Sequence, residues 1–376
     1  VGVSSPLSKK SLTLRKLKKY IEERKIEELV RSSEKQQRKK VKEAVERIVN
    51  LLPRACVVIG GPSTAGRTTL SKIIIEELKK RGLNAKRLDM GSFFKGKRLD
   101  FGLPDALDWR LINACIKDLL RGKAVGVPHF DMEKRRRTEK VTVLKLEEKE
   151  ILLIEGAYAL DERLLSGVSE KQKFSIYVEA VFELKLKKNL FLTTSDLGLL
   201  RRIVRDARFR NIEAIKTLRE WPLIIDREEK YVLPTKKRAD LIINTALFYE
   251  LPLLKAYAIP YLEFALKQAQ VEKDQKIINQ INRLYKLLEY IPSIGEIDIP
   301  EDSILIEFIG GEEEKVTTYI KELEHPFWEV RSSAVMRLTR LGMKKNKQAI
   351  EALIKLIDLG GKEMRLLALK GLEKIR

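Results

Sequence analysis

Residues 54–68 read Arg54-Ala-Cys-Val-Val-Ile-Gly60-Gly61-Pro-Ser-Thr-Ala-Gly66-Arg67-Thr68. The run from Arg54 to Ile59 has the apolar, β-branched character of a short buried strand and stops abruptly at Gly60 and Gly61. From Thr68 to Lys80 the apolar residues recur at helical spacing. Between the two, Gly61 to Thr68 keep the spacing of a Walker A phosphate loop, with Arg67 where Lys is usual. The glycines let the loop curl so that backbone N–H groups point inward at phosphates, and the following helix adds its positive end. The expected nucleotide-binding residues are therefore Gly61, Pro62, Ser63, Thr64, Ala65, Gly66, Arg67, Thr68 and Thr69, with ATP as the ligand and the Thr68 hydroxyl on Mg²⁺. Arg67 retains the positive charge, but its planar fork is longer than an ammonium and binds differently. ATP binding can survive that exchange while placement of the transferred phosphoryl degrades.

Outward from the loop, strands and helices alternate. Leu83–Leu88 predicts a second strand, Leu107–Leu120 a helix and Lys134–Arg137 a basic loop. Ile151–Ile154 predicts a buried strand, and Phe174–Val178 and Leu241–Ile243 two more, separated by a long Arg-rich helical stretch, Leu197–Arg219. Residues 262–290 are helical in pattern, and Gly310–Gly311 closes the domain. Such alternation implies an α/β fold: a P-loop NTPase parallel sheet covered by helices on both faces. Ile151-Leu-Leu-Ile-Glu155-Gly156 puts a carboxylate at the C-terminal tip of a buried strand, which in an open α/β sheet faces the ligand crevice. Glu155 is the second candidate for Mg²⁺, directly or through water.

The flanks differ in texture. Residues 8–50 read as a polar helical arm, divided into two helices by Ser32–Gln37. Val41, Ala44, Val45, Ile48, Val49 and Leu52 follow the i, i+3, i+4, i+7 rule, so one face packs on something. Beyond Gly311 the pattern is purely helical, and Arg331-Ser-Ser-Ala334 with Leu338 recurs as Arg365-Leu-Leu-Ala368 with Leu372, an offset of 34 residues. A period in this range marks stacked helix pairs, and Trp328-Glu-Val-Arg331 with its surroundings resembles HEAT-type repeats. Two repeats are too few to stand alone, so they pack on the central domain or on a protein partner. The expected domains are 1–50, 51–311 and 312–376, consistent with about 150 residues per domain in a chain of 376.

Composition bounds the rest. Lys and Arg number 75 against 54 Asp and Glu, a net charge of +21. Residues 1–50 hold 15 basic and 7 acidic residues, and 312–376 hold 14 and 10. That excess favours phosphate-bearing ligands or nucleic acid, while 34% charged residues also suits the ion-pair-laced surface of a heat-stable protein. An RNA-binding arm is one reading of residues 1–50. Only Tyr20 interleaves its charges, however, so base stacking is missing, and a helix docked on the next domain is the plainer reading. With 44% hydrophobic residues and no apolar run near the ~20 residues of a membrane span, neither a disordered chain nor a membrane protein is expected. Val1–Leu14 offers no signal-peptide run, and the opening Val1 suggests a trimmed start. Cys56 and Cys115 read as reduced core residues of a cytoplasmic protein, and His129 and His325 are too far apart in the sequence to form a local metal motif.

In this order the motifs resemble the uridine kinase and phosphoribulokinase family of P-loop kinases, from about Leu52 to Gly311. Pro104-Asp-Ala-Leu-Asp108, Val127-Pro-His-Phe-Asp131, Ile154-Glu-Gly156 and Leu233-Pro-Thr-Lys-Lys-Arg-Ala-Asp240 carry the likeness. Thr193-Thr-Ser-Asp196, Arg201–Arg210, Tyr249-Glu-Leu251 and Asp302–Gly311 match the long bacterial uridine-kinase-like proteins almost word for word. The resemblance implies transfer of the γ-phosphoryl of ATP to a small-molecule hydroxyl, a nucleoside first of all. It makes Asp89 the general base. Arg202, Arg205 and Arg210 become lid arginines on one helical side and its C-terminal turn, gripping phosphates beside Arg67. Asp105, Phe130, Asp131 and Arg137 fall at the acceptor, with Phe130 contacting the base. Three departures stand against it: Arg67 itself, the two extra residues between Asp89 and Ser92-Phe-Phe94, and Gly102 where the family has an acidic residue that holds substrate hydroxyls. Asp100 or Asp105 could replace the last. Two readings stay open, a kinase and a nucleotide-binding scaffold that has lost turnover and acts through its arm and tail.

Overall fold

The structure is a computed structural model and describes residues 13–51, 54–96, 102–131, 134, 136–294 and 297–375. Along the chain run α1 (Leu14–Glu22), α2 (Ile26–Ile48), β1 (Cys56–Gly60), α3 (Arg67–Lys80), β2 (Ala85–Asp89) and α4 (Trp109–Leu120). Next come β3 (Val125–Asp131), β4 (Arg136–Leu144), β5 (Ile151–Glu155), β6 (Lys173–Glu179), β7 (Leu184–Lys187), β8 (Leu190–Leu192), α5 (Thr194–Phe209) and α6 (Ala214–Arg227). The remainder is β9 (Leu241–Asn244), α7 (Glu250–Val271), α8 (Gln275–Leu288), α9 (Ile306–Ile309), α10 (Glu312–Glu322), α11 (Trp328–Met343), α12 (Lys347–Leu359) and α13 (Lys362–Ile375). Two compact units form. One comprises 32–181 and 222–247, the other the described parts of 1–31, 182–221 and 248–376. Residues 32–50 group with the sheet, and 312–375 group with 248–311.

In the first unit five parallel strands lie in the order β2-β5-β1-β6-β9. β1 and β5 are buried at all five positions because both faces of the sheet are covered. At the edges the pattern thins: β9 buries only Leu241 and Ile243, and β2 only Leu88. Ile112, Ile116 and Leu119 of α4 join Cys56, Val58, Leu152 and Ile154 in one cluster. Cys56 and Cys115 are free and buried, and burial pushes the Cys56 thiol up to about 12, so it stays protonated. Val41, Ala44, Val45 and Ile48 are buried as their spacing required. On the same helix Arg47 stacks 4.6 Å from the Phe174 ring and donates to the Asp240 carbonyl. Leu52 lies outside the described residues.

Three local expectations are corrected. The arm breaks at Glu23–Lys25, where Arg24 adopts φ 57°, and not at Ser32–Gln37, which lies inside α2. Arg136 and Arg137 open the strand β4 of an antiparallel hairpin with β3, where a basic loop was expected. Leu197–Arg219 is two helices: α5 ends at Phe209, and Asn211 at φ 52° turns the chain before α6.

The second unit is helical apart from the β7–β8 hairpin. A capping box of Thr193 and Asp196 starts α5. Arg201, on that helix, is wholly buried and pairs bidentately with equally buried Glu250 at 2.7 and 3.0 Å. The tail is four helices, and the 34-residue offset places Ala334 on α11 and Ala368 on α13, both fully buried. Glu322 of α10 accepts from Arg208 of α5 at 3.1 Å and from Arg337 of α11 at 3.4 Å. No helix among the described residues is long and apolar enough to cross a membrane.

Candidate active site

Three neighbouring strands deliver the site. β1 runs into the Gly61–Arg67 turn, β5 ends on Glu155 and β2 ends on Asp89, with Asp89 paired to Glu155 and Glu155 to Ile59 in register. The parallel sheet therefore brings two carboxylates and the loop together at one edge of carboxyl ends, where open α/β sheets bind ligands.

The loop is built on unusual backbone. Gly61 has φ 141°, Thr64 φ 64° and Gly66, the N-cap of α3, φ 81°. Thr245, just beyond β9 and fully buried, donates its hydroxyl to the Ala65 carbonyl at 2.6 Å and fixes the loop from below. Arg67 turns back on the loop, donating to the Gly61 carbonyl and, at 2.8 Å, to the Pro62 carbonyl. The Ser63 N–H donates to the Glu228 carboxylate, which reaches the loop from the turn that follows α6. A carboxylate thus sits against one of the loop's N–H groups.

Glu155, 3% exposed, accepts from the Ser71 hydroxyl at 2.7 Å and the Thr68 hydroxyl at 3.3 Å, and pairs with Arg87 at 2.8 Å. Ser71, one turn beyond Thr68 on α3, is a partner that motif spacing did not reveal. A carboxylate beside a hydroxyl is an oxygen donor set that suits Mg²⁺, which takes one or two protein ligands and completes its shell with water and phosphate. No group of three or more His, Cys, Asp or Glu able to hold a metal by itself occurs among the described residues.

Asp89 caps the 3₁₀ turn Met90–Phe93, its Oδ1 accepting the Gly91 N–H at 2.8 Å. A Cβ on Gly91 would lie 3.2 Å from that oxygen. A side chain at position 91 would crowd the Asp89 carboxylate. Phe130, 8% exposed, stacks edge-on against Phe94 at 5.5 Å. Arg137 donates to the Phe93 and Phe94 carbonyls and pairs with Asp108 at 3.1 Å, holding that aromatic pair on α4's N-cap. Asp131 accepts the Lys134 N–H at 2.9 Å, closing the hairpin turn. Asp105 is exposed and pairs with Arg163 at 2.6 Å. The space a side chain on Gly102 would need is filled by the Arg227 guanidinium; Asp100 lies outside the described residues. The Leu233–Asp240 motif is a staple: Lys236 pairs with Glu179 at 2.7 Å, and Asp240 accepts the Ser175 N–H at 2.7 Å. Tyr177, wholly buried on β6, has its phenol pushed up by burial and by the Glu179 and Glu228 charges.

Arg202, Arg205 and Arg210 belong to the other unit. They converge on one buried carboxylate, Asp206, at 3.1, 2.9 and 3.4 Å. Arg210 is the C-cap of α5. Asp206 was visible within the arginine run but carried no assignment.

Fold and loop are those of a P-loop protein, and its relatives make it a phosphotransferase with a hydroxyl acceptor. The Phosphoribulokinase / Uridine kinase family matches residues 93–248. A uridine kinase of Mycoplasma genitalium is 30% identical over 198 residues, covering 50% of this chain and 83% of that protein. One of Macrococcus caseolyticus is 28% identical over 195 residues, covering 49% and 85%. Among solved structures, a possible uridine kinase from Bacillus stearothermophilus is similar at 16% identity and a TM-score of 0.37, covering 55% of this chain and 98% of that one. The chain belongs to the phosphoribulokinase and uridine kinase family.

Proposed function

We propose that the protein transfers the γ-phosphoryl group of ATP to a hydroxyl of a nucleoside, uridine first. The observation that carries this reading is the registered pair Asp89 and Glu155 at adjoining strand ends beside the Gly61–Thr68 loop. The loop N–H groups and the start of α3 bind and orient the phosphates. Thr68 and Glu155 would hold Mg²⁺, which when bound neutralises charge on the β- and γ-phosphate oxygens. Asp89 accepts the proton as the acceptor oxygen bonds to the γ-phosphorus and the bond to the bridging oxygen breaks, releasing ADP. Phe130, packed on Phe94, offers a ring to the nucleobase; Asp105, Asp131 and Arg137 fix the segments around it. Phosphate contacts by Arg202, Arg205 and Arg210 rest on the family likeness alone. ATP consumption measured across a panel of nucleosides and sugars tests the proposal. Acceptor-dependent ADP release, largest for a nucleoside, is expected; release for sugars alone would overturn the acceptor assignment.

One observation favours the scaffold reading: Arg67 is spent on loop carbonyls and Glu228 on a loop N–H. Arg67→Lys separates the two. A compact ammonium reaches the β- and γ-phosphates as a point charge, so the exchange should preserve or raise phosphotransfer rates. Loss of a measurable activity in that variant would make Arg67 a specialised transfer group.

A further inference from the structure

Glu155 has its carboxylate oxygens satisfied by groups of this chain alone. Its Oε2 accepts from Ser71, and its Oε1 faces both the Thr68 hydroxyl and the Arg87 guanidinium. A carboxylate this deeply buried needs a partner, since an uncompensated buried charge is strongly destabilising. The chain supplies one from β2, two residues before Asp89. Successive residues of a strand alternate faces, so Arg87 and Asp89 lie on the same one. β2 is the edge strand of the sheet, and the Arg87 side chain is still 32% exposed. Arg87 can therefore swing to water without disturbing the ladder, whereas Glu155, held by Ser71 of α3, stays in place.

A divalent cation on Thr68 and Glu155 needs the same Oε1 that Arg87 holds. A guanidinium and a dication on one oxygen repel each other in a partly buried setting. We infer that Arg87 is a resident counter-ion of Glu155 that competes with the metal, so a divalent cation enters only with the nucleotide phosphates and by displacing Arg87. This rests on the reading of the Gly61–Thr68 loop as the nucleotide site. The phosphates then supply the negative charge that tips the exchange, and metal and nucleotide binding become strongly coupled.

The test is Mn²⁺ binding followed by paramagnetic resonance, with and without ADP, on the full chain and on Arg87→Gln, Arg87→Lys and Glu155→Gln. Arg87→Gln removes the charge but leaves a donor for Glu155, so the buried carboxylate is not orphaned. The wild type should take up no Mn²⁺ at this site without ADP. Arg87→Gln should bind Mn²⁺ without ADP, and in the ADP complex about tenfold more tightly than the wild type, within the usual range of coupling between sites. Arg87→Lys should behave as the wild type, and Glu155→Gln should lose the metal in both states. Equal Mn²⁺ affinity in the wild type and Arg87→Gln, or uptake by the wild type without ADP that Glu155→Gln abolishes, would overturn the inference. ADP binding in chelator, measured alongside, separates the two claims. Its absence in the wild type overturns the nucleotide site itself, while its presence with an unaltered metal affinity overturns only the role of Arg87.

Discussion

Asp89→Asn should lower phosphoryl transfer by about 10²–10⁴-fold, the contribution of a positioned general base, and leave ADP affinity unchanged. The asymmetry follows from where Asp89 stands. It ends β2 and caps the Met90–Phe93 turn through Oδ1, while the loop proposed to take the phosphates follows β1. An Asn oxygen can accept the same Gly91 N–H, so the turn survives the exchange and only the proton acceptor is lost. ADP release at saturating acceptor reads the first effect and calorimetric titration with ADP the second. Retention of the full rate would move the base to another group.

Gly61→Ala should be the most damaging single methyl in the site. At φ 141° an added Cβ would collide with the Val178 carbonyl of β6, a rigid neighbour in the middle of the sheet. Backbone strain of this kind costs about 1–3 kcal/mol, and the collision adds to it, so the loop must leave its seat. ADP affinity should fall by at least an order of magnitude and the melting temperature by several degrees. Gly82→Ala is the control: Gly82 also has positive φ, 76°, but nothing lies near its added Cβ. It should show the backbone effect alone and bind ADP normally.

The strand, loop and helix from Cys56 to Lys80 were legible because all three signals agreed: a continuous apolar run, paired glycines and a helical repeat. Glu155 was legible for the same reason, as a charge at the end of a wholly apolar strand. The β3–β4 hairpin was not, because it pairs only with itself and leaves Val141 and Val143 56% and 73% exposed, so no continuous apolar run marks its strands. The helix break at Arg24 was hidden because a left-handed residue there is not a glycine. In the site, Arg87 and Glu228 escaped notice for a geometric reason. Arg87 acquires its meaning from the β2–β5 register, and Glu228 meets Ser63 across 165 residues of chain. No local pattern records either meeting. The tail was legible as helical because its apolar spacing is helical throughout, with Ala334 and Ala368 falling on α11 and α13.

The most direct measurement is transfer of label from ATP marked in its γ-phosphate, with uridine as acceptor and the wild type and Asp89→Asn run side by side. The expected result is a labelled nucleoside monophosphate formed by the wild type at a rate that depends on uridine, with formation nearly abolished in the variant while both bind ADP equally. Equal ADP binding by both proteins with no labelled nucleoside from either would contradict the account and leave a nucleotide-binding protein without transfer.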